Sequence, residues 1–175
     1  MQPVFEKAKS IRLLILDVDG VLTSGVIYYG NAGMELKGFH IHDGFGIKLL
    51  QKAGIQVAII SGKKSEAVAR RLEDLKIEYF YLGHEEKVKP YEELKQKLQL
   101  SDHEIAYMGD DLPDLPILCR AGLAITVPKA PEIIKQNADY ITKQKAGKGA
   151  VREACVLIME AQGCYQSMVQ SYLAK

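Results

Sequence analysis

Six short apolar or β-branched runs recur along the chain: IRLLILD (11–17), IQVAIIS (55–61), EYFYLG (78–83), EIAYMGD (104–110), LAITV (123–127) and DYIT (139–142). Each is followed by an amphipathic stretch of helical length, in order GIKLLQKA, SEAVARRLEDL, YEELKQKLQ, LPILCR, PEIIKQNA and GAVREACVLIMEA. Strands separated by helices pair in parallel, because a crossover helix returns the chain to the end of the sheet from which the previous strand started. The pattern therefore predicts an open, three-layer α/β sheet of Rossmann-like type with helices on both faces. Gly54, after Leu49, Leu50 and Ala53, reads as a helix C-terminus, and Ser101 as a helix start or turn.

One segment breaks the rhythm. Residues 25–43 hold two strand-like runs around Gly30-Asn31-Ala32-Gly33, the pattern of a β-hairpin inserted between the first strand and the first helix. As a mere surface excursion it would leave Tyr28, Tyr29, Met34 and Phe39 in water, so a subunit interface is the preferred reading. The C-terminal residues 163–175 place Tyr165, Met168, Val169, Tyr172 and Leu173 at helical spacing, which fits either a last helix or an arm that packs on a neighbour. The 175 residues, 47% hydrophobic and 26% charged, fit one domain spanning 1–175, with no repeat or Pro/Ser-rich linker to divide it.

Composition narrows the partners. Twenty-three basic residues balance 22 acidic ones, and no basic stripe interleaves with aromatics, which disfavours nucleic acid. The N-terminal MQPVFEKAKS lacks an apolar signal core, and no apolar run approaches the roughly 20 residues of a membrane helix, so a cytoplasmic protein without membrane partners is expected. Cys119, Cys155 and Cys164 show no paired spacing, and His40, His42, His84 and His103 no zinc-binding one.

The chemistry collects at strand ends, where ligands bind in sheets of this kind. The first strand ends in Asp17 and Asp19, the second in Ser61 and Gly62, and the fourth in Gly109, Asp110 and Asp111, with Asp114 a turn later. Lys87 and Lys89 follow the third. Several carboxylates on one rim repel one another, and a hard divalent cation such as Mg²⁺ is the matching remedy. A hydroxyl (Ser61) and a fixed positive charge (Lys87) suit phosphate oxygens, so the set describes phosphoryl transfer. Asp17 is the candidate nucleophile, and Asp19, two residues on, the candidate acid and base if the chain turns at Gly20. A helix-cap role for Ser61 and an exposed helix-start position for Asp114 are the structural alternatives.

These residues, Asp17-Val18-Asp19-Gly20-Val21-Leu22-Thr23, Ser61-Gly62, Lys87 and Gly109-Asp110-Asp111-Leu112-Pro113-Asp114, resemble the four ordered motifs of the haloacid dehalogenase-type phosphatases. The resemblance implies Mg²⁺ ligation by the Asp17 and Asp110 side chains and the Asp19 backbone carbonyl, with phosphate held by Ser61, Gly62 and Lys87. Asp114 and Asp111 would support the site. The inserted hairpin, the run Phe39 to Ile47, the segment Gly147-Lys148-Gly149-Ala150-Val151-Arg152-Glu153 and the lack of a cap-length insertion narrow the likeness. They resemble the capless 3-deoxy-D-manno-octulosonate 8-phosphate (KDO 8-phosphate) phosphatases of lipopolysaccharide synthesis, which implies an anionic sugar-phosphate substrate and a homotetramer whose hairpins assemble centrally.

The chain departs from that pattern at Thr23-Ser24-Gly25, where Thr-Asp-Gly is usual, and at Ala146-Gly147, where a Gly-Gly pair is common. Lys63 stands where arginine is expected in the octulosonate enzymes and glutamate in some relatives acting on nine-carbon sialic acid-type 9-phosphates. Lysine keeps the charge but loses the bidentate fork, and leans towards the eight-carbon acid. Arg71 and Arg152 are further candidates for the anionic sugar. A phospho-receiver domain and a non-catalytic assembly module are the rivals. A receiver would end its middle strand in the acceptor aspartate, where this chain has Ser61.

Overall fold

A computed structural model of the chain describes residues 2–174, apart from the side chain of Ala32. In chain order the elements are α1 (Gln2–Lys9), β1 (Leu13–Leu16), β2 (Tyr28–Tyr29), β3 (Glu35–Leu36), α2 (Ile41–Lys52), β4 (Gln56–Ser61), α3 (Glu66–Asp74), β5 (Tyr79–Leu82), α4 (Val88–Lys97), β6 (Ile105–Met108), α5 (Leu115–Leu118), β7 (Leu123–Thr126), α6 (Glu132–Gln136), β8 (Tyr140–Ile141), α7 (Ala150–Ala161) and α8 (Tyr165–Leu173). All six runs expected as strands are strands. They form one sheet in the order β5-β4-β1-β6-β7-β8, with every neighbouring pair parallel.

The order explains where a ligand can bind. From β1 the chain builds outward through β4 and β5, then crosses back to the other side of β1 for β6, β7 and β8. The carboxyl end of β1 is thus the switch point at which a crevice opens between diverging connections. Register sets its contents: Leu16 lies opposite Ile59 and Met108, so Asp17, Ser61, Gly109 and Asp110 leave the sheet at nearly one level. The Asp17 N–H donates to the Met108 carbonyl at 3.0 Å, carrying the ladder one residue past β1.

Helices cover both faces of the central strands, which is why these strands read as continuous apolar runs rather than alternating ones. All four residues of β1, β6 and β7 are buried. Each fully buried Leu or Ile there contributes about 1.5–3 kcal/mol relative to exposure. Right-handed crossovers put α2 and α3 on one face and α4 to α6 on the other; α7 packs on α2 and α1, and α4 on α5.

Two features differ from the sequence reading, and at the C-terminus the structure takes the last-helix alternative. Helix α1 was not foreseen, since its burial rests on one pair four residues apart, Val4 and Ala8, with the Gln162 amide donating to the Ala8 and Ile11 carbonyls at 3.1 and 2.7 Å. The hairpin is shorter than its apolar runs suggest: Tyr28 and Tyr29 pair with Leu36 and Glu35, around a turn at Asn31–Gly33. Phe39 packs against the core, whereas Val26, Tyr28, Tyr29, Met34 and Leu36 are exposed. At the C-terminus, α8 sets Tyr165 and Met168 against the core and Tyr172 edge-on to Phe45 of α2, ring centroids 5.7 Å apart. The three cysteines are free thiols, Cys155 buried and Cys119 exposed.

Candidate active site

The loop after β1 is shaped by Gly20, whose φ of 91° lies in the left-handed region that glycine enters without penalty. The turn brings Asp19 back over the end of β1, where Thr23 Oγ1 donates to its carboxylate at 3.3 Å. A Cβ at Gly20 would overlap the Asp110 carboxylate, so the glycine is the floor on which Asp110 rests. On the neighbouring strand the Gly109 N–H donates to Ile125 O at 3.2 Å and the Thr126 hydroxyl to Gly109 O at 2.7 Å, which fixes the backbone that presents Asp110.

Asp114 organises the next turn. One of its oxygens accepts the backbone N–H groups of Asp110 and Asp111 at 3.0 and 3.2 Å; the other accepts the Tyr107 hydroxyl and the Lys87 ammonium, both at 2.6 Å. It is 1% exposed, so the helix-start position in solvent does not hold. Lys87 also donates to Asp17 at 2.8 Å and bridges the two acids from the start of α4.

The electrostatics follow from burial. Loss of water, then the charge of Asp114, pushes the Asp17 carboxyl up to about 6 despite the opposing pull of Lys87. Asp110, desolvated and facing Asp17, Asp114 and Asp111, is pushed up to about 7. Burial pulls Lys87 down, but Asp17 and Asp114 outweigh it, and the ammonium is held above the ordinary lysine range. Carboxylate oxygens of Asp17, Asp110 and Asp114 lie within 4.8 Å of one another. Lys87 answers two of these charges; the Asp110 carboxylate accepts no hydrogen bond among the described residues. An all-oxygen donor set with surplus negative charge fits a hard divalent cation.

These groups line a cleft of about 420 Å³ together with Asp19, Ser61, Gly62, Lys63, Glu85, Asp111 and Pro113. Ser61 is buried and its Oγ accepts the Lys63 N–H at 3.4 Å; α3 is capped instead by Ser65, whose side chain accepts from Val68 N. The Asp111 carboxylate, at the exposed rim of the cleft, accepts the Leu112 N–H at 2.8 Å.

Arg71 and Arg152 are not brought to this cleft. The Arg71 guanidinium sits 5.8 Å from the Phe39 ring and donates to the His40 carbonyl, and Arg152 lies 5.3 Å from the Phe45 ring. Each side chain lies against α2 instead: a Cβ at Gly44 would meet the Arg71 guanidinium, and one at Gly46 the Arg152 side chain. Three residues with parts in the architecture escaped sequence reasoning. Tyr107 looks like any core strand residue, and Asp43, which accepts the Gly149 and Arg152 N–H groups at 3.1 and 2.8 Å, like a surface acid. Lys37, the third, had a signal: it is the single lysine or arginine in a hairpin rich in exposed apolar residues. Its Nζ lies 2.6 and 2.5 Å from the two Asp19 oxygens.

Comparison with known proteins agrees with this geometry. A family model of haloacid dehalogenase-like hydrolases matches residues 82–154. The 3-deoxy-D-manno-octulosonate 8-phosphate phosphatase KdsC of Escherichia coli is 46% identical over 160 residues, 91% of this chain and 85% of that protein. The crystal structure of the 3-deoxy-D-manno-octulosonate 8-phosphate phosphatase from Moraxella catarrhalis, in complex with magnesium ion, phosphate ion and KDO, superposes with a TM-score of 0.96 at 40% identity, covering 98% of this chain and 99% of that one. A cobalt-bound deoxy-D-mannose-octulosonate 8-phosphate phosphatase from Haemophilus influenzae gives 0.87 at 41% identity, covering 90% and 92%.

Proposed function

This chain belongs to the haloacid dehalogenase-like hydrolases, in the group of the KDO 8-phosphate phosphatases, and on that premise we propose that it is a Mg²⁺-dependent phosphomonoesterase. Its substrate is 3-deoxy-D-manno-octulosonate 8-phosphate, its products the free sugar acid and phosphate, and its setting lipopolysaccharide synthesis. The observation that carries the reading is the cluster at the carboxyl end of β1: buried Asp17 beside Lys87, and next to it the Asp110 carboxylate, without a hydrogen-bond partner among the described residues.

Mg²⁺ would be held by Asp17, Asp110 and the Asp19 backbone carbonyl, and supplies the positive charge that lets a carboxylate approach a phosphate dianion. The remaining work falls to the chain. Ser61, Gly62 and Lys87 hold the phosphate oxygens. A carboxylate oxygen of Asp17 attacks phosphorus as the ester P–O bond breaks, and the departing alkoxide takes the proton of the Asp19 carboxyl. Water then attacks the aspartyl-phosphate, giving its proton to Asp19 as the bond between phosphorus and Asp17 breaks. Asp17 is thereby restored as a carboxylate and Asp19 as the protonated carboxyl. Asp114 positions Lys87 and the Asp110 backbone.

Lys63, at the mouth of the cleft, supplies the charge for the sugar carboxylate. Because lysine offers a point charge rather than a fork, a nine-carbon sialic acid-type 9-phosphate is the second reading. Homotetramer assembly through the exposed hairpin is part of the proposal, supported by Tyr28 at 60% and Tyr29 at 75% exposure. So is a cytoplasmic setting, supported by three unpaired thiols; among the described residues no helix is long and apolar enough to cross a membrane.

The test is phosphate release with and without Mg²⁺ from KDO 8-phosphate, a sialic acid 9-phosphate, glucose 6-phosphate and a nucleoside monophosphate, with Asp17→Asn as the blank. Mg²⁺-dependent preference for the eight-carbon acid is expected. Preference for the nine-carbon acid would move the substrate, and release by Asp17→Asn would overturn the nucleophile.

A further inference from the structure

Lys37 is a lysine with almost no access to water. Its side chain is 1% exposed, yet it directly follows β3, the strand that closes a surface hairpin. Its ammonium contacts both oxygens of Asp19, at 2.6 and 2.5 Å, and lies 3.7 Å from Glu35 Oε1. Glu35 in turn accepts the Ser65 hydroxyl at 2.7 Å, and Ser65 caps α3 just beyond the Ser61-Gly62 loop. Residues 35–37 therefore tie together two of the loops that form the cleft, the one carrying Asp19 and the one carrying Ser61.

Asp19 needs such a tie. Its side chain is 26% exposed, and apart from Lys37 its side-chain partner is the Thr23 hydroxyl at a long 3.3 Å. A carboxylate held by one long hydrogen bond keeps much of its rotational freedom, whereas proton delivery requires it within about 2.6–3.2 Å of the departing oxygen. A buried ammonium spanning both oxygens fixes the plane of the group as well as its position, and each oxygen keeps a second lone pair at which the transferred proton is carried. The contact is also costly to build: a desolvated lysine persists because two acids face it, and without them it would be an unpaired buried charge.

We propose that Lys37 is the positioning residue for Asp19, so that the hairpin is part of the catalytic apparatus of its own subunit as well as an assembly surface. The inference rests on the reading of Asp19 as the proton donor. Lys37 touches neither phosphate nor the reacting atoms; it acts by holding the donor in line. The hairpin's effect on catalysis then runs through one side chain, and a disturbance of β3 reaches the proton-transfer step before it reaches phosphate binding.

Leaving-group dependence separates this role from a structural one. A sugar alkoxide needs a proton as it departs and p-nitrophenolate does not, and kcat/KM reports that first transfer for both. Lys37→Met is expected to lower kcat/KM for the sugar phosphate by about 10²-fold, the lower end of general acid catalysis, and for p-nitrophenyl phosphate by less than about threefold. Asp19→Asn should show the same selective loss, and the double variant should be no worse than Asp19→Asn alone. Lys37→Gln, which keeps a donor at the same depth, serves if methionine does not fold, and should fall between. An unchanged ratio of the two substrates in Asp19→Asn overturns the proton-donor reading and this proposal with it. A selective loss in Asp19→Asn with equal losses for both substrates in the Lys37 variants overturns the proposal alone.

Discussion

Gly20 lies so close to Asp110 that a Cβ on the glycine would occupy the space of the aspartate's carboxylate. The two residues sit on adjacent strand-end loops, and the turn after β1 therefore decides where the second acid of the cluster can stand. With φ at 91°, an L side chain at this position meets backbone strain as well as the clash.

Gly20→Ala should consequently fail in two ways. The left-handed conformation costs about 1–2 kcal/mol of stability. Displacement of Asp110 should weaken Mg²⁺ activation by about 10–100-fold, the usual effect of disturbing a ligand's support. Urea unfolding and a Mg²⁺ titration of turnover measure the two losses. A normal activation constant would mean that Asp110 has other room.

The raised carboxyls predict how stability and metal affinity depend on pH. Folded Asp17 and Asp110 titrate at about 6 and about 7, each above its ordinary value of 3.8. A raised folded value means that native protein holds protons the unfolded chain has released. The stability contributed is complete below about pH 4 and is lost as pH rises through 6 and 7. Metal-free protein should therefore gain stability from these groups on acidification from pH 8 to 5. Apparent Mg²⁺ affinity should decline over the same window, because cation and proton compete for the same oxygens. Melting curves in chelator and in excess Mg²⁺ across that range should converge at the acid end; parallel curves would remove Asp110 and Asp17 from the metal site.

The strands were legible because β1, β4, β6 and β7 are covered on both faces and so appear as unbroken apolar runs. The acids at their ends were legible for a related reason, since a carboxylate directly after such a run has to emerge where the sheet stops. What could not be read was pairing across the fold. Lys87 is 70 residues from Asp17 in sequence, and nothing local says that it bridges Asp17 and Asp114. Lys37 reaches Asp19 only because the hairpin folds back over the turn at Gly20. Arg71 and Arg152 carry the right charge for an anionic sugar, but the helical phase of α3 and α7 sets them beside Phe39 and Phe45.

Two substitutions should separate charge that destabilises from charge that stabilises. Asp110→Asn removes a desolvated carboxyl with no hydrogen-bond partner among the described residues. In metal-free protein at pH 8 it should raise the Tm, by about 2–4 °C for each kcal/mol of repulsion relieved, while abolishing Mg²⁺-dependent turnover. Lys87→Met does the reverse to its neighbours. It leaves Asp17 and Asp114 buried without their shared cation, a loss of about 3–5 kcal/mol. Thermal melts of the pair, with and without Mg²⁺, read both effects. Destabilisation by Asp110→Asn would show that the cluster is already balanced without metal.

The hairpin presents Val26, Tyr28, Tyr29, Met34 and Leu36 to solvent on a chain of 19.4 kDa, and two-residue strands give it little stability of its own. An isolated hairpin of that length is marginal in water, and the proposed assembly would bury these side chains against copies of the same hairpin. Charges at the two most exposed aromatics, Tyr28→Asp with Tyr29→Asp, should lower the sedimenting mass in analytical ultracentrifugation from an oligomer to the single chain. Because β3 continues into Lys37, kcat/KM for the sugar phosphate should fall with dissociation while p-nitrophenyl phosphate is less affected. An oligomer that survives both charges would move the interface elsewhere, and a dissociated chain with full activity would separate the hairpin's assembly role from its hold on Asp19.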